Sequence, residues 1–107
     1  MYYDRQGKPI SLAEWGSILE SDQRFTLRRV AETSFEDGRW LSTVWLGLDH
    51  GWIPGGRPPI FETMLFKDHT LKGGELGCWR YSAEQEALEG HARIVARLEA
   101  GLLPEEE

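Results

Sequence analysis

The chain is poor in the residues that would settle a function at sight. It has one cysteine, Cys78, in 107 residues. A lone cysteine excludes an internal disulfide, offers no cysteine pair to a metal, and fits a reducing compartment. No stretch reaches the ~18 consecutive apolar residues of a transmembrane helix. The opening MYYDRQGKPI has none of the basic-then-apolar pattern of a secretory signal, so the expected location is the cytoplasm. Positive charge is scarce as well, with 12 lysines and arginines against 18 aspartates and glutamates, a net of −6. General nucleic-acid affinity comes from concentrated positive charge, so a nucleic-acid partner is disfavoured and basic protein partners fit better. Familiar catalytic signatures are missing too: there is no Gly-x-Ser-x-Gly and no His-Glu-x-x-His. Gly73-Gly74 lacks the lysine and the following helix of a phosphate loop.

What is present is enough for a folded domain. Hydrophobic residues make up 40% of the chain and include five tryptophans, which argues against disorder. A chain of this length buries roughly 65% of its unfolded surface, enough for one core. We read residues 1–103 as a single α+β domain and residues 104–107, Pro104 followed by three glutamates, as an acidic solvated tail.

Two stretches organise the domain: residues 40–50, WLSTVWLGLDH, and residues 60–67, IFETMLFK. Both are rich in β-branched and aromatic residues and are bounded by turn chemistry, so they predict neighbouring antiparallel strands. In the first, expected to run over 40–48, alternation places Val44, Leu46 and Leu48 on one side. Leu41, Thr43, Trp45 and Gly47 fall on the other. Neither side is polar, so both need cover.

Around them, residues 1–3 predict an edge strand and Asp4-Arg5-Gln6-Gly7 a turn. Ser11 with Glu14 forms a capping box that opens a helix ending near Ser21. Its apolar face is Leu12, Trp15, Ile18 and Leu19. From Arg24 to Thr33 the period of two predicts a half-polar strand, and Glu36-Asp37-Gly38-Arg39 a hairpin turn. The 49–59 connection is long for a hairpin, residues 68–77 read as a polar loop, and residues 78–81 as a last short strand. Ser82 with Gln85 suggests a second capping box before a long helix. Its core stripe is Ala87, His91, Ile94, Val95 and Leu98, and Gly101 is its stop. The expected architecture is an antiparallel sheet of three or four strands with two helices packed on one face, in the order β-α-β-β-β-β-α.

Two groups of side chains are candidates for chemistry or recognition. Asp49, His50, Glu62 and His91 could converge at one end of the sheet as a polar or metal-binding cluster, although their spacing matches no metal motif. The alternative is a hydrogen-bonded structural network. The second group is aromatic. Trp, Tyr and Arg anchor protein interfaces, and Leu41 and Trp45 on one sheet face, with Trp52 and Arg57 in the long loop, are the expected partner-binding residues. The sheet face they belong to predicts a homodimer. Cys78 has Arg80 nearby but no histidine close in sequence, so a buried thiol is expected rather than a nucleophile.

The segments STVWLGLDH, PPIFETMLF and RYSAEQEALEGH, spread over residues 42–95, resemble small uncharacterised proteins of bacteriophages and of prophage regions in actinobacterial-type genomes. The resemblance implies a phage or mobile-element origin and carries no activity that can be transferred to single residues. The expected function is protein–protein binding to a host or phage protein, including inhibition of a host defence complex, with no cofactor and no catalysis. The competing reading is a small metal-dependent enzyme or ligand binder built on Asp49, His50, Glu62 and His91.

Overall fold

Segments rich in β-branched and aromatic residues become the strands of one antiparallel sheet, and the amphipathic segments become helices laid on it. The computed structural model describes residues 1–48, 58–70 and 72–104. In chain order these are β1 (Tyr2–Tyr3), β2 (Pro9–Ile10), α1 (Leu12–Glu20), α2 (Arg24–Arg28), β3 (Arg29–Ser34), β4 (Trp40–Trp45), β5 (Phe61–Phe66), β6 (Glu75–Tyr81) and α3 (Glu84–Glu99). The main sheet has the order β3-β4-β5-β6, all antiparallel, and β1-β2 forms a separate two-stranded hairpin. The expected α+β architecture is present, with β2 and α2 as additional elements.

Local chemistry explains several boundaries. Ser11 is the N-cap of α1: its hydroxyl oxygen accepts from the Glu14 amide at 3.1 Å and its O–H donates to the Glu14 carboxylate at 3.2 Å. Gly38, at φ +97°, turns the β3–β4 hairpin. Its neighbour Asp37 accepts from the Arg39 amide and guanidinium. The bond from that amide, foremost, holds the Asp37 carboxyl below its ordinary pKa. Gly101, at φ +78°, ends α3, with the Leu102 amide returning to the Arg97 carbonyl.

Other boundaries differ from expectation. Residues 24–28 are helical, not the start of a strand. The Ser21 side chain and carbonyl take the Gln23 and Arg24 amides, and Leu27 N–H reaches the Gln23 carbonyl. That local bonding outweighs an alternation of Phe25 and Leu27 which has no buried face to serve: the two are 68% and 40% exposed. β4 stops at Trp45, short of Leu48. The Leu46 and Gly47 amides both donate to the Ile60 carbonyl, and Gly47 sits at φ +67°. The ladder bulges there, and Leu48 keeps only an isolated bridge to Tyr2. β6 begins at Glu75, so part of the expected polar loop is strand. Helix α3 has Ala83 as its N-cap, with no side-chain cap bond; the Ser82–Gln85 capping box does not form.

The sheet is covered on one face. Leu41, Leu65, Trp79, Ile94 and Leu98 form a cluster under α3. Trp45, Ile60, Phe61 and Ala87 form a second cluster, closed by Tyr3, Ile10, Trp15 and Ile18 of the N-terminal hairpin and α1. The Trp15 indole N–H donates to the Leu46 carbonyl at 2.9 Å, fastening α1 to the end of β4. Arg5 closes the same end, bonding Glu84 of α3 at 2.7 Å and the Leu27 carbonyl at 3.2 Å. The molecule measures 42 × 35 × 21 Å, the thin axis of a two-layer slab with one sheet and one helical layer.

Candidate interaction surface

Alternation along β4 and β5 sorts the sheet cleanly into two faces. Leu41, Thr43 and Trp45 of β4 are buried, as are Phe61, Thr63 and Leu65 of β5, while the residues between them are half-buried. Pairing lays the second set out in rows across the sheet. Ser34, Trp40 and Phe66 form one row; Glu32, Ser42, Met64 and Cys78 the next; Arg29, Val44, Glu62 and Arg80 the third. α1 and α3 pack on the opposite face, while Phe25 and Arg28 of α2 and the ring of His69 border this one.

This corrects the expected partner surface. Leu41 and Trp45 are 0% and 1% exposed and pack inside the chain's own core, so neither can anchor a partner. The two sets are alike in bulk, each with a tryptophan and a phenylalanine, but the open set carries the charged Glu62, which is costly to bury. The open face belongs to the opposite parity, Trp40, Ser42 and Val44. Trp52 and Arg57 lie outside the described residues.

Of the expected polar cluster, the two described members, Glu62 and His91, lie on opposite faces of the sheet. Glu62 points to the open face and pairs with Arg80 at 3.2 Å. His91, on the core stripe of α3, lies under the other face. Its Nδ1 is 2.8 Å from the Thr43 hydroxyl and its Nε2 is 2.9 Å from the Thr33 hydroxyl. Thr43 in turn meets Thr63 at 2.5 Å. The result is a hydrogen-bonded chain across three strands and one helix, buried at Thr43 and Thr63 and half-buried at Thr33, the structural alternative for His91. Burial lowers the His91 pKa by desolvation, so the ring is neutral, with one nitrogen donating and the other accepting. Asp49 and His50 lie outside the described residues. Among the described residues no group of three or more His, Cys, Asp or Glu side chains converges.

The open face has its own structure. The Trp40 ring stacks on Phe66 at 5.3 Å and on His69 at 4.7 Å, and His69 Nε2 is 3.1 Å from the Ser34 hydroxyl. Phe25 of α2 also borders this face. With Arg28, Arg29, Glu32, Trp40, Ser42 and Val44 it bounds a groove of about 230 Å³. Charges at the margin are paired within the face, Arg29 with Glu32 and Arg80 with Glu62, each at 3.2 Å. Cys78 is half-buried in the middle row. Met64, Phe66 and Phe25 were not singled out from the sequence; the signal available was the strict alternation in FETMLF.

No protein-family model matches the chain, and comparison with curated proteins and with solved structures returns no similar one. Among the described residues no helix is long and apolar enough to cross a membrane.

Proposed function

We propose that this chain is a non-enzymatic, phage-type protein of the host cytoplasm that works by protein–protein contact, with a component of a host defence complex as the class of target. The observation supporting it is the open sheet face. Trp40, Val44, Met64 and Phe66 are held half-exposed by the β4–β5 ladder, opposite the face packed by α3, with the ion pairs Arg29–Glu32 and Arg80–Glu62 beside them. An apolar centre with a polar rim and aromatic anchors is the anatomy of a recognition surface. The groove beside Phe25 adds relief into which a partner side chain fits. The phage resemblance of the three sequence motifs supplies the biological setting.

The test compares the parent with Met64→Arg, each tagged and expressed in a bacterial host. A host protein retained by the parent and lost with the folded variant, then reconstituted from the two purified components, supports the reading. Equal retention by both, or catalytic turnover by the pure parent that survives Met64→Arg, overturns it.

A further inference from the structure

We infer that the groove beside Phe25 takes an acidic segment of the partner protein, with a glutamate or aspartate carboxylate seated against Arg24 and Arg28 and a neighbouring apolar residue on Phe25. This rests on the reading of the open face as a contact surface and names the chemistry of what it contacts.

Charge gives the first argument. The chain as a whole is acidic, at a net −6, which by itself would select a basic partner. The corner around the groove has the opposite sign. Arg28, Arg29 and Glu32 line it, and the Arg24 guanidinium lies 4.8 Å from the centre of the Phe25 ring. Three arginines thus stand against one glutamate, and the corner stays positive even when Asp22, just before α2, is counted. Arg29 is paired with Glu32 at 3.2 Å. Arg24 and Arg28 reach backbone carbonyls instead, those of Ser21 at 3.3 Å and Trp45 at 3.4 Å. Among the described residues neither has a carboxylate partner. They also sit at the two ends of the five-residue α2, which has no acid in its first turn. Like charges at this i,i+4 spacing destabilise a helix, and a bound carboxylate would offset their repulsion.

The walls of the groove give the second. Phe25 is 68% exposed, and Trp40, which lines the same groove, has its indole N–H buried without an acceptor. Aromatic and arginine side chains together are the usual anchors of a protein contact, and a guanidinium holds a carboxylate through two parallel bonds. At about 230 Å³ the groove falls below the ~300–1,000 Å³ of small-molecule sites and suits one or two partner side chains. A nucleic acid would need positive charge along successive phosphates. Here the row that starts at Arg29 continues across the sheet to the closed Glu62–Arg80 pair, so the positive charge is confined to one corner.

The test follows the N–H resonances of the isotope-labelled full chain. The probe is a capped glutamate-rich peptide with one central leucine; its glutamine counterpart and an oligothymidylate of the same length are the comparisons. Titration to about 5 mM fills most of a site whose dissociation constant is ~1 mM. The glutamate peptide is expected to shift the Trp40 indole and the Arg24 and Arg28 Nε–H signals saturably, and the glutamine peptide to bind at least tenfold more weakly. Arg24→Glu and Arg28→Gln should each weaken the glutamate peptide at least tenfold. Arg24 is exposed, so its variant keeps the test open if Arg28→Gln, which loses the bond to the Trp45 carbonyl, fails to fold. Equal affinity for the two peptides, shifts confined to other residues, or unchanged affinity in whichever variant folds overturns the inference. So does tighter binding of the oligothymidylate at the same signals. Retention of the host protein separates the two readings. If Met64→Arg releases it and Arg24→Glu does not, the acidic segment is overturned and the contact surface stands. If neither variant releases it, both readings fall; release by both supports both.

Discussion

Thr43 and His91, 48 positions apart in sequence, meet 2.8 Å apart under the sheet, and through Thr33 and Thr63 they tie α3 to β3, β4 and β5. Replacing His91 with alanine removes the middle of this chain and leaves the buried Thr43 hydroxyl and the half-buried Thr33 hydroxyl without their ring partner. The cost of orphaning such groups is roughly 1–3 kcal/mol. We expect His91→Ala to lower the urea midpoint accordingly, with the slope of the transition unchanged.

The same residue predicts a pH dependence. Burial depresses the His91 pKa below its ordinary value of 6.5, so the unfolded chain binds a proton that the folded chain resists. The resulting stability is fully present above pH 6.5 and is lost as pH falls from there through the lower folded value. The hydrogen-bond pattern itself survives protonation, because both threonines can turn to accept; desolvation of the charge drives the loss. Melting temperature should therefore fall between about pH 7.5 and pH 5.5. His91→Gln should flatten this part of the profile.

Gly90 faces Tyr81 from α3. A β-carbon at position 90 would overlap the Tyr81 hydroxyl and ring, so the glycine is there to let the helix approach β6. Alanine would gain about 1 kcal/mol in helix propensity but force an overlap that costs typically 1–3 kcal/mol. Gly90→Ala should be neutral to destabilising in the parent. In a Tyr81→Ala background, where the obstruction is gone, the same change should stabilise by about 1 kcal/mol. A double-mutant cycle in urea measures the difference.

What could be read from the sequence was what nearest neighbours decide. Ser11 and Glu14, Gly38 and Gly101 have roles fixed by bonds within a few residues, and each behaves as its type suggests. The helix core stripe around His91 was equally legible, because a period of 3.6 repeats over several turns. Residues 24–28 were not, since alternation predicts a strand only when one of its faces is buried, and Phe25 remains 68% exposed. The assignment of faces was beyond reach for a different reason. Alternation separates Leu41 and Trp45 from Ser42 and Val44, but only the arrival of α3, forty residues later, determines which set is covered. Glu62 and His91 follow the same rule: each reads as a polar residue in a regular element, yet the parity of β5 turns Glu62 to the side of the sheet away from His91.

That division of faces can be measured directly. Leu41 is fully buried and packs with Leu65, Trp79, Ile94 and Leu98. Truncation to alanine leaves a cavity in a close-packed core, at a cost of about 2–5 kcal/mol. Val44, three residues along the same strand, is half-buried on the open face. Its truncation should cost less than about 1 kcal/mol, the span of strand propensity on an uncovered surface. Association adds apparent stability by mass action, so both variants and the parent should be unfolded in urea at the same concentration of about 1 µM, in the micromolar range where weak dimers dissociate. The expected order is a large loss for Leu41→Ala and a small one for Val44→Ala. The reverse order would place α3 on the wrong face of the sheet, and the interaction surface with it.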